Sequence, residues 1–281
     1  MPADTWSFRC TACGKCCNSG PELSVPELFH HQHRFLGRLA VRRVRRLGPS
    51  VSASAECAPP DAPRDLLLVT HAWHDERLGR CPALASDGRC SIHTAGKPLV
   101  CSLAPLDALL PDAWQRVVLA ARTREAAFLG ADCIAAGERP GFVPLVRRLH
   151  VIEPEAQALL ARRRAELVLE KRHWGTGVFR LLVPELFAKP EMLAKIPPDG
   201  YLSLSVAPVL MVLADISEAC RKRCIEYLEA QLALARTLGA EHVVRGHDGL
   251  RDALAQRGTR DTLDRDTAAA TEAWLGLEQA A

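Results

Sequence analysis

The sequence predicts a mainly α chain with irregular metal-stapled loops and a few short strands. A small cysteine-cluster domain spans 1–141, and a helical C-terminal region spans 142–281. Three observations lead there. Four thiols fall within eight residues in Cys10-Thr11-Ala12-Cys13-Gly14-Lys15-Cys16-Cys17. Cys81, Cys90, Cys101 and Cys133 follow, each beside glycine, proline or a turn. Beyond about residue 142 such spacing stops and apolar residues recur at helical intervals.

Taken in order, the first cysteine loop occupies 1–20, with Phe8 as its packing anchor. Ser24, Pro26 and Glu27 form a helix start with a capping box. The predicted helix runs from about 25 to 47, with Leu28, Phe29, Phe35, Leu36, Leu39, Val44 and Leu47 on one face. Arg38, Arg42, Arg43, Arg45 and Arg46 lie on its other, solvated face, and His30, His31 and His33 are solvated too. Residues 48–64 are rich in Pro, Ser and Ala and read as a loop, where Cys57 is a free thiol. Leu66-Leu67-Leu68-Val69 reads as a strand. His71 and His74 are assigned to the surface, and Ser86-Asp87-Gly88 is a turn.

In the second half, Glu153 to Trp174 reads as a charged helix carrying Arg162-Arg163-Arg164. Glycines and prolines break 175–206. Residues 208–238 make the clearest helix, with Leu213, Ile216, Cys220, Cys224, Leu228, Leu232 and Ala235 on one stripe and Gly239 as its stop. Cys220 and Cys224 have the spacing of a helical metal pair, but the stripe assigns them to the core. A last helix is expected from near Asp261 to Leu277.

Composition bounds the function. The 281 residues, 48% hydrophobic and 25% charged, are ample for a sizeable core. A net charge of +3 is too small to argue for nucleic acid or membrane, and nucleic acid is not the expected partner. Eleven cysteines is an odd count, so complete disulfide pairing is excluded. The N-terminus shows no secretory pattern, and the longest apolar run, near Val206 to Leu213, is far short of the roughly 20 residues of a membrane span. The expectation is a cytoplasmic protein with reduced thiols, in which clustered cysteines mean metal or catalysis.

The candidate metal ligands are Cys10, Cys13, Cys16, Cys17, Cys81, Cys90, Cys101 and Cys133. Soft thiolates at this density suit zinc or an iron–sulfur cluster. Cys10, Cys13 and Cys16 follow the ferredoxin-like Cys-x-x-Cys-x-x-Cys, and Cys81-Pro82 has the Cys-Pro that often closes such a site. Neighbouring side chains in extended backbone point opposite ways, so Cys16 and Cys17 are expected to serve two ions or to bridge. Eight thiolates suit two four-ligand sites, or one cluster plus a zinc. Lys15, Arg80, Arg89 and Lys97 are the cations available to offset thiolate charge. His93 is expected to hydrogen-bond behind the ligands.

The pattern resembles the YkgJ-type cysteine-cluster family, described as a zinc- or iron-chelating domain. Its blocks are matched by Phe8 with Cys10, Cys13, Cys16 and Cys17; by Cys81, Pro82 and Leu84; by Gly88, Cys90 and Ile92; and by Pro98 with Cys101. Cys133 resembles the family's further cysteine. His93, Lys97 and Ser102 depart from the usual tyrosine and arginines. The resemblance covers roughly 6–140 and implies metal binding. One branch resembles the flagellin lysine methylases, so the alternative is an iron–sulfur-dependent modifying enzyme or a redox protein. No glycine-rich nucleotide fingerprint is present, Asp65, Asp75 and Asp107 form no acid/base pair, and no catalytic residue is assigned. The implied partners are metal ions, with a protein partner left open.

Overall fold

The computed structural model describes residues 3–17, 20–43, 66–73, 80–94, 96–124, 132–197, 200–257 and 265–277. Cys57, His74, Arg45 and Arg46, with the expectations placed on them, lie outside these. Contacts divide the chain into two units, but not by a single cut at 141/142. The first takes the described residues up to 21 and from 80 to 168; the second takes 22–43, 66–73 and those from 169 onward.

The first unit is built on a four-stranded antiparallel sheet. Its strands are β1 (Thr5–Phe8), β4 (Ile134–Ala136), β5 (Val143–Arg147) and β6 (His150–Val151), in the order β4-β1-β5-β6. Trp6 of β1 sits in the core with Leu103, Leu106, Leu119, Leu145, Val146 and Leu160, and Phe8 packs against it as anticipated. Leu119 comes from a helix over Gln115–Arg122, and Leu160 from one over Pro154–Glu170. Arg164, in the basic run of that helix, donates to the Leu110 carbonyl at 2.8 Å and meets Asp112 at 3.0 Å.

The second unit has its own antiparallel sheet, of β2 (Gly37–Arg43), β3 (Leu66–Ala72) and β7 (Tyr201–Ser205), with β2 in the middle. The two sheets overturn the expected mainly α fold with metal-stapled loops. The architecture is α with two antiparallel sheets, and the cysteine loops are tied by backbone hydrogen bonds described below.

The largest correction is the helix expected over 25–47. Ser24 does cap a helix, with Pro26 in its first turn and the full capping box to Glu27, but that helix covers only Val25–His30. Leu39, Ala40 and Val41 are consecutive and all buried. A surface helix cannot bury three residues in a row with one stripe, whereas a strand hydrogen-bonded on both sides can. The register pairs Arg38–Arg43 with Leu66–His71 on one side and Arg42–Arg38 with Tyr201–Ser205 on the other. The arginines therefore sit on a strand: Arg42 donates to Glu22 at 2.6 Å and Arg43 to the Leu193 carbonyl at 2.8 Å. His71, assigned to the surface, is buried by the same pairing; His31, expected to be solvated, is buried too and packs edge-on against Phe35.

Entry into β2 depends on Gly37. A Cβ there would lie 2.1 Å from the Tyr227 hydroxyl, so no side chain fits. The Gly37 N–H donates to Gln231 Oε1 at 2.8 Å, and Gln231 Nε2 donates to the Gln32 and Phe35 carbonyls. Tyr227 and Gln231 lie on the helix Glu218–Thr237, whose stripe of Cys220, Cys224, Leu228, Leu232 and Ala235 is buried as expected. The predicted 208–238 helix is nevertheless two: Ala207–Ala214 ends, and Ser217 caps the next by accepting from the Cys220 N–H at 3.1 Å. Gly239 takes the left-handed φ of +65° that stops it.

Candidate metal centre

All eight candidate cysteines belong to the first unit. The loop after β1 turns at Gly14, whose φ of +68° favours glycine, and a Cβ there would press on Leu84 at 3.2 Å. Next, Lys15–Cys17 form one 3-10 turn, with the Cys17 N–H donating to the Gly14 carbonyl at 3.0 Å. The Cys17 carbonyl then accepts from the Cys81 N–H at 2.7 Å, which joins the first cysteine loop to the second. Leu84 bridges Cys90 across the Ser86-Asp87-Gly88 turn, and the Ser91 N–H donates to the Ala83 carbonyl at 2.8 Å. Cys101 is on a short helix, Leu99–Leu103, entered from Pro98. Cys133 arrives by sheet register: Phe8 pairs with Ile134, and the Arg9 N–H donates to the Cys133 carbonyl at 2.9 Å.

The 3-10 turn removes the premise that Cys16 and Cys17 serve different ions. Their sulfurs lie 3.9 Å apart. Two thiolates on one tetrahedral zinc, at bonds of ~2.3 Å, stand about 3.8 Å apart. The pair therefore has the spacing of two ligands on a single ion.

The thiols also act on one another. The hydrogen-bonded contact with Cys17 lowers Cys16 to about 6; burial opposes this, and Lys97 and Arg122 add to it. Cys17 is raised strongly, first by that same hydrogen bond, then by burial, then by charge on Cys16, Cys81 and Cys101. Cys101 is pushed up to about 12 by burial and by Cys81, Cys16 and Cys90, with Lys97 pulling against them. Cys133 is raised to about 11 by burial and by Cys13, Cys16 and Cys10. Two neighbourhoods result. One gathers Cys16, Cys17, Cys81, Cys90 and Cys101; the other gathers Cys10, Cys13 and Cys133; Cys16 faces both.

Thiols raised by mutual repulsion and burial are the chemistry a dication reverses, since it neutralises the charge that each sulfur imposes on the next. The donor set therefore fits zinc or an iron–sulfur cluster. Among the described residues, no three side chains are gathered tightly enough to hold an ion without rearrangement. Cys10, Cys13 and Cys16 are exposed, while Cys81 and Cys133 are buried.

Of the expected cations, Lys97 reaches Cys16 and Cys101. Arg122 was not anticipated. It lies at the end of the Gln115–Arg122 helix, and nothing in the local sequence ties it to a cysteine motif. His93 is exposed, with its backbone N–H donating to the Cys90 carbonyl at 3.2 Å. Cys220 and Cys224 stand apart in the second unit, buried in their helix, where burial raises both. No helix among the described residues is long and apolar enough to cross a membrane. Compared with protein-family models, with curated proteins and with solved structures, the chain matches none.

Proposed function

We propose that the first unit binds a thiophilic metal, zinc or an iron–sulfur cluster, through Cys10, Cys13, Cys16, Cys17, Cys81, Cys90, Cys101 and Cys133. One observation carries the reading. Segments far apart in sequence bring these thiols into mutual electrostatic reach, centred on Cys16, while Cys220 and Cys224 are spent on a helix core. The spacing resembling the YkgJ-type family supports it independently. The reading includes a cytoplasmic location, the compartment in which clustered thiols stay reduced.

When bound, the metal supplies positive charge that holds the thiolates together. The chain supplies the rest. Cys16 and Cys17 offer a ready pair, Lys97 and Arg122 offset excess thiolate charge, and the Cys17–Cys81 backbone bond fixes the distance between the two loops.

Purification under anaerobic conditions, with metal analysis and an absorption spectrum, tests this. Iron with sulfide and a broad band near 400 nm identifies a cluster. A colourless protein with about one or two zinc ions per chain identifies zinc. Protein free of both, and unable to take up either on reconstitution, would overturn the proposal.

A further inference from the structure

One face of the second unit's sheet carries a compact polar group. The register sets Arg38 opposite both His71 and Ser205, Ala40 opposite Val69 and Ser203, and Arg42 opposite Leu67 and Tyr201. Residues directly opposed across strands share a face. Glu22 joins that face through its bridge to His71. Ala40 presents only a methyl group, so the imidazole reaches over it, and His71 Nε2 lies 3.2 Å from Ser203 Oγ. The same ring meets Tyr201 edge-on, with centroids 5.3 Å apart. Glu22 acts on His71 electrostatically and accepts from Arg42 at 2.6 Å. His71 is 6% exposed, while Ser203 is open to solvent on an edge strand.

We propose that Ser203 is a nucleophile with His71 as its general base and Glu22 as the carboxylate that steadies the imidazolium, a site for acyl esters. Ser203 Oγ attacks the ester carbonyl carbon as its proton passes to His71 Nε2. The bond from that carbon to the alkoxy oxygen breaks, and the leaving alkoxide takes the proton from His71 as the alcohol. Water then attacks the acyl-serine, giving its proton to His71. The Ser203 oxygen leaves, recovers that proton, and a carboxylic acid is released. Neither stage needs a redox partner or a metal.

The protonation state agrees with the geometry. Burial first, and the Arg38 charge with it, hold His71 below the usual histidine range, although Glu22 pulls upward. The imidazole is therefore neutral at neutral pH, with a lone pair to receive the serine proton. Ser205 is a built-in control. It is exposed on the same strand and face, and its hydroxyl accepts from the Ala207 N–H at 3.2 Å, whereas the Ser203 hydroxyl lies against His71 Nε2.

The test is reaction of the full chain with a fluorophosphonate, mapped by mass spectrometry, beside hydrolysis of p-nitrophenyl acetate. Labelling is expected at Ser203 and not at Ser205, slowed about 100-fold in His71→Gln. Glu22→Gln, which keeps the shape of the site, is expected to slow it less. Ser203→Ala, an exposed change, should remove both label and hydrolysis while keeping the fold. An unlabelled Ser203, equal labelling of Ser203 and Ser205, or a rate unchanged in a folded His71→Gln or Glu22→Gln protein would overturn the proposal.

Discussion

Cys16 Sγ lies 3.9 Å from Cys17 Sγ because a single 3-10 turn places two sequence neighbours on one side of the backbone. The contact makes the two thiols unequal: it lowers Cys16 and raises Cys17.

In metal-free protein, alkylation of Cys16 should therefore rise through about pH 6, well below the ordinary thiol value of 9.0. Cys17→Ala removes the contact, so the midpoint should move upward. Peptide mapping after brief iodoacetamide treatment across pH 5 to 9 reads this directly. The same midpoint in both proteins would show that the contact does not lower Cys16.

Gly37 and Tyr227 are a second close pair. A Cβ at 37 falls 2.1 Å from the Tyr227 hydroxyl, and Gly37 is held in place by its bond to Gln231. Gly37→Ala should cost about 2–3 kcal/mol in urea unfolding. Adding Tyr227→Phe removes the clashing oxygen, so the double variant should recover at least ~1 kcal/mol relative to the sum of the single changes. Additive losses would refute the close approach.

Ser24 closes a reciprocal cap: its N–H donates to Glu27 Oε2 at 2.9 Å, and its hydroxyl accepts from the Glu27 N–H at 3.4 Å. Ser24→Ala should lower the unfolding free energy by about 1 kcal/mol. An unchanged urea midpoint with an unchanged slope would show that the cap contributes nothing.

Features set by local chemistry were legible in the sequence. The Ser24 cap, the strand beginning at Leu66, the buried stripe of the Glu218–Thr237 helix and its stop at Gly239 each depend on neighbours a few residues away. Features set by distant pairing were not. Leu36 and Leu39 fit a helical stripe as well as a strand, and only pairing on both sides makes Gly37–Arg43 a central strand. Tyr201–Ser205 alternates correctly for a strand, but it lay within the 175–206 stretch that glycines and prolines break.

The candidate site divides in the same way. The cysteine spacing marked the thiols and their order. The local routes were not visible: the Phe8–Ile134 register brings the Cys133 backbone beside Arg9, and a 3-10 turn sets Cys16 beside Cys17. His71 looked like an isolated polar residue until Glu22 and Ser203 were placed beside it by the sheet.

The most direct measurement of the central claim is metal content per chain in matched variants purified anaerobically. The double change Cys16→Ser and Cys17→Ser should lose the metal that the unaltered protein retains. Cys220→Ala with Cys224→Ala, in the helix core of the other unit, should retain it, whatever stability is lost. Metal retained in the first protein, or lost from a folded second one, would contradict the assignment of the thiol cluster as the metal centre.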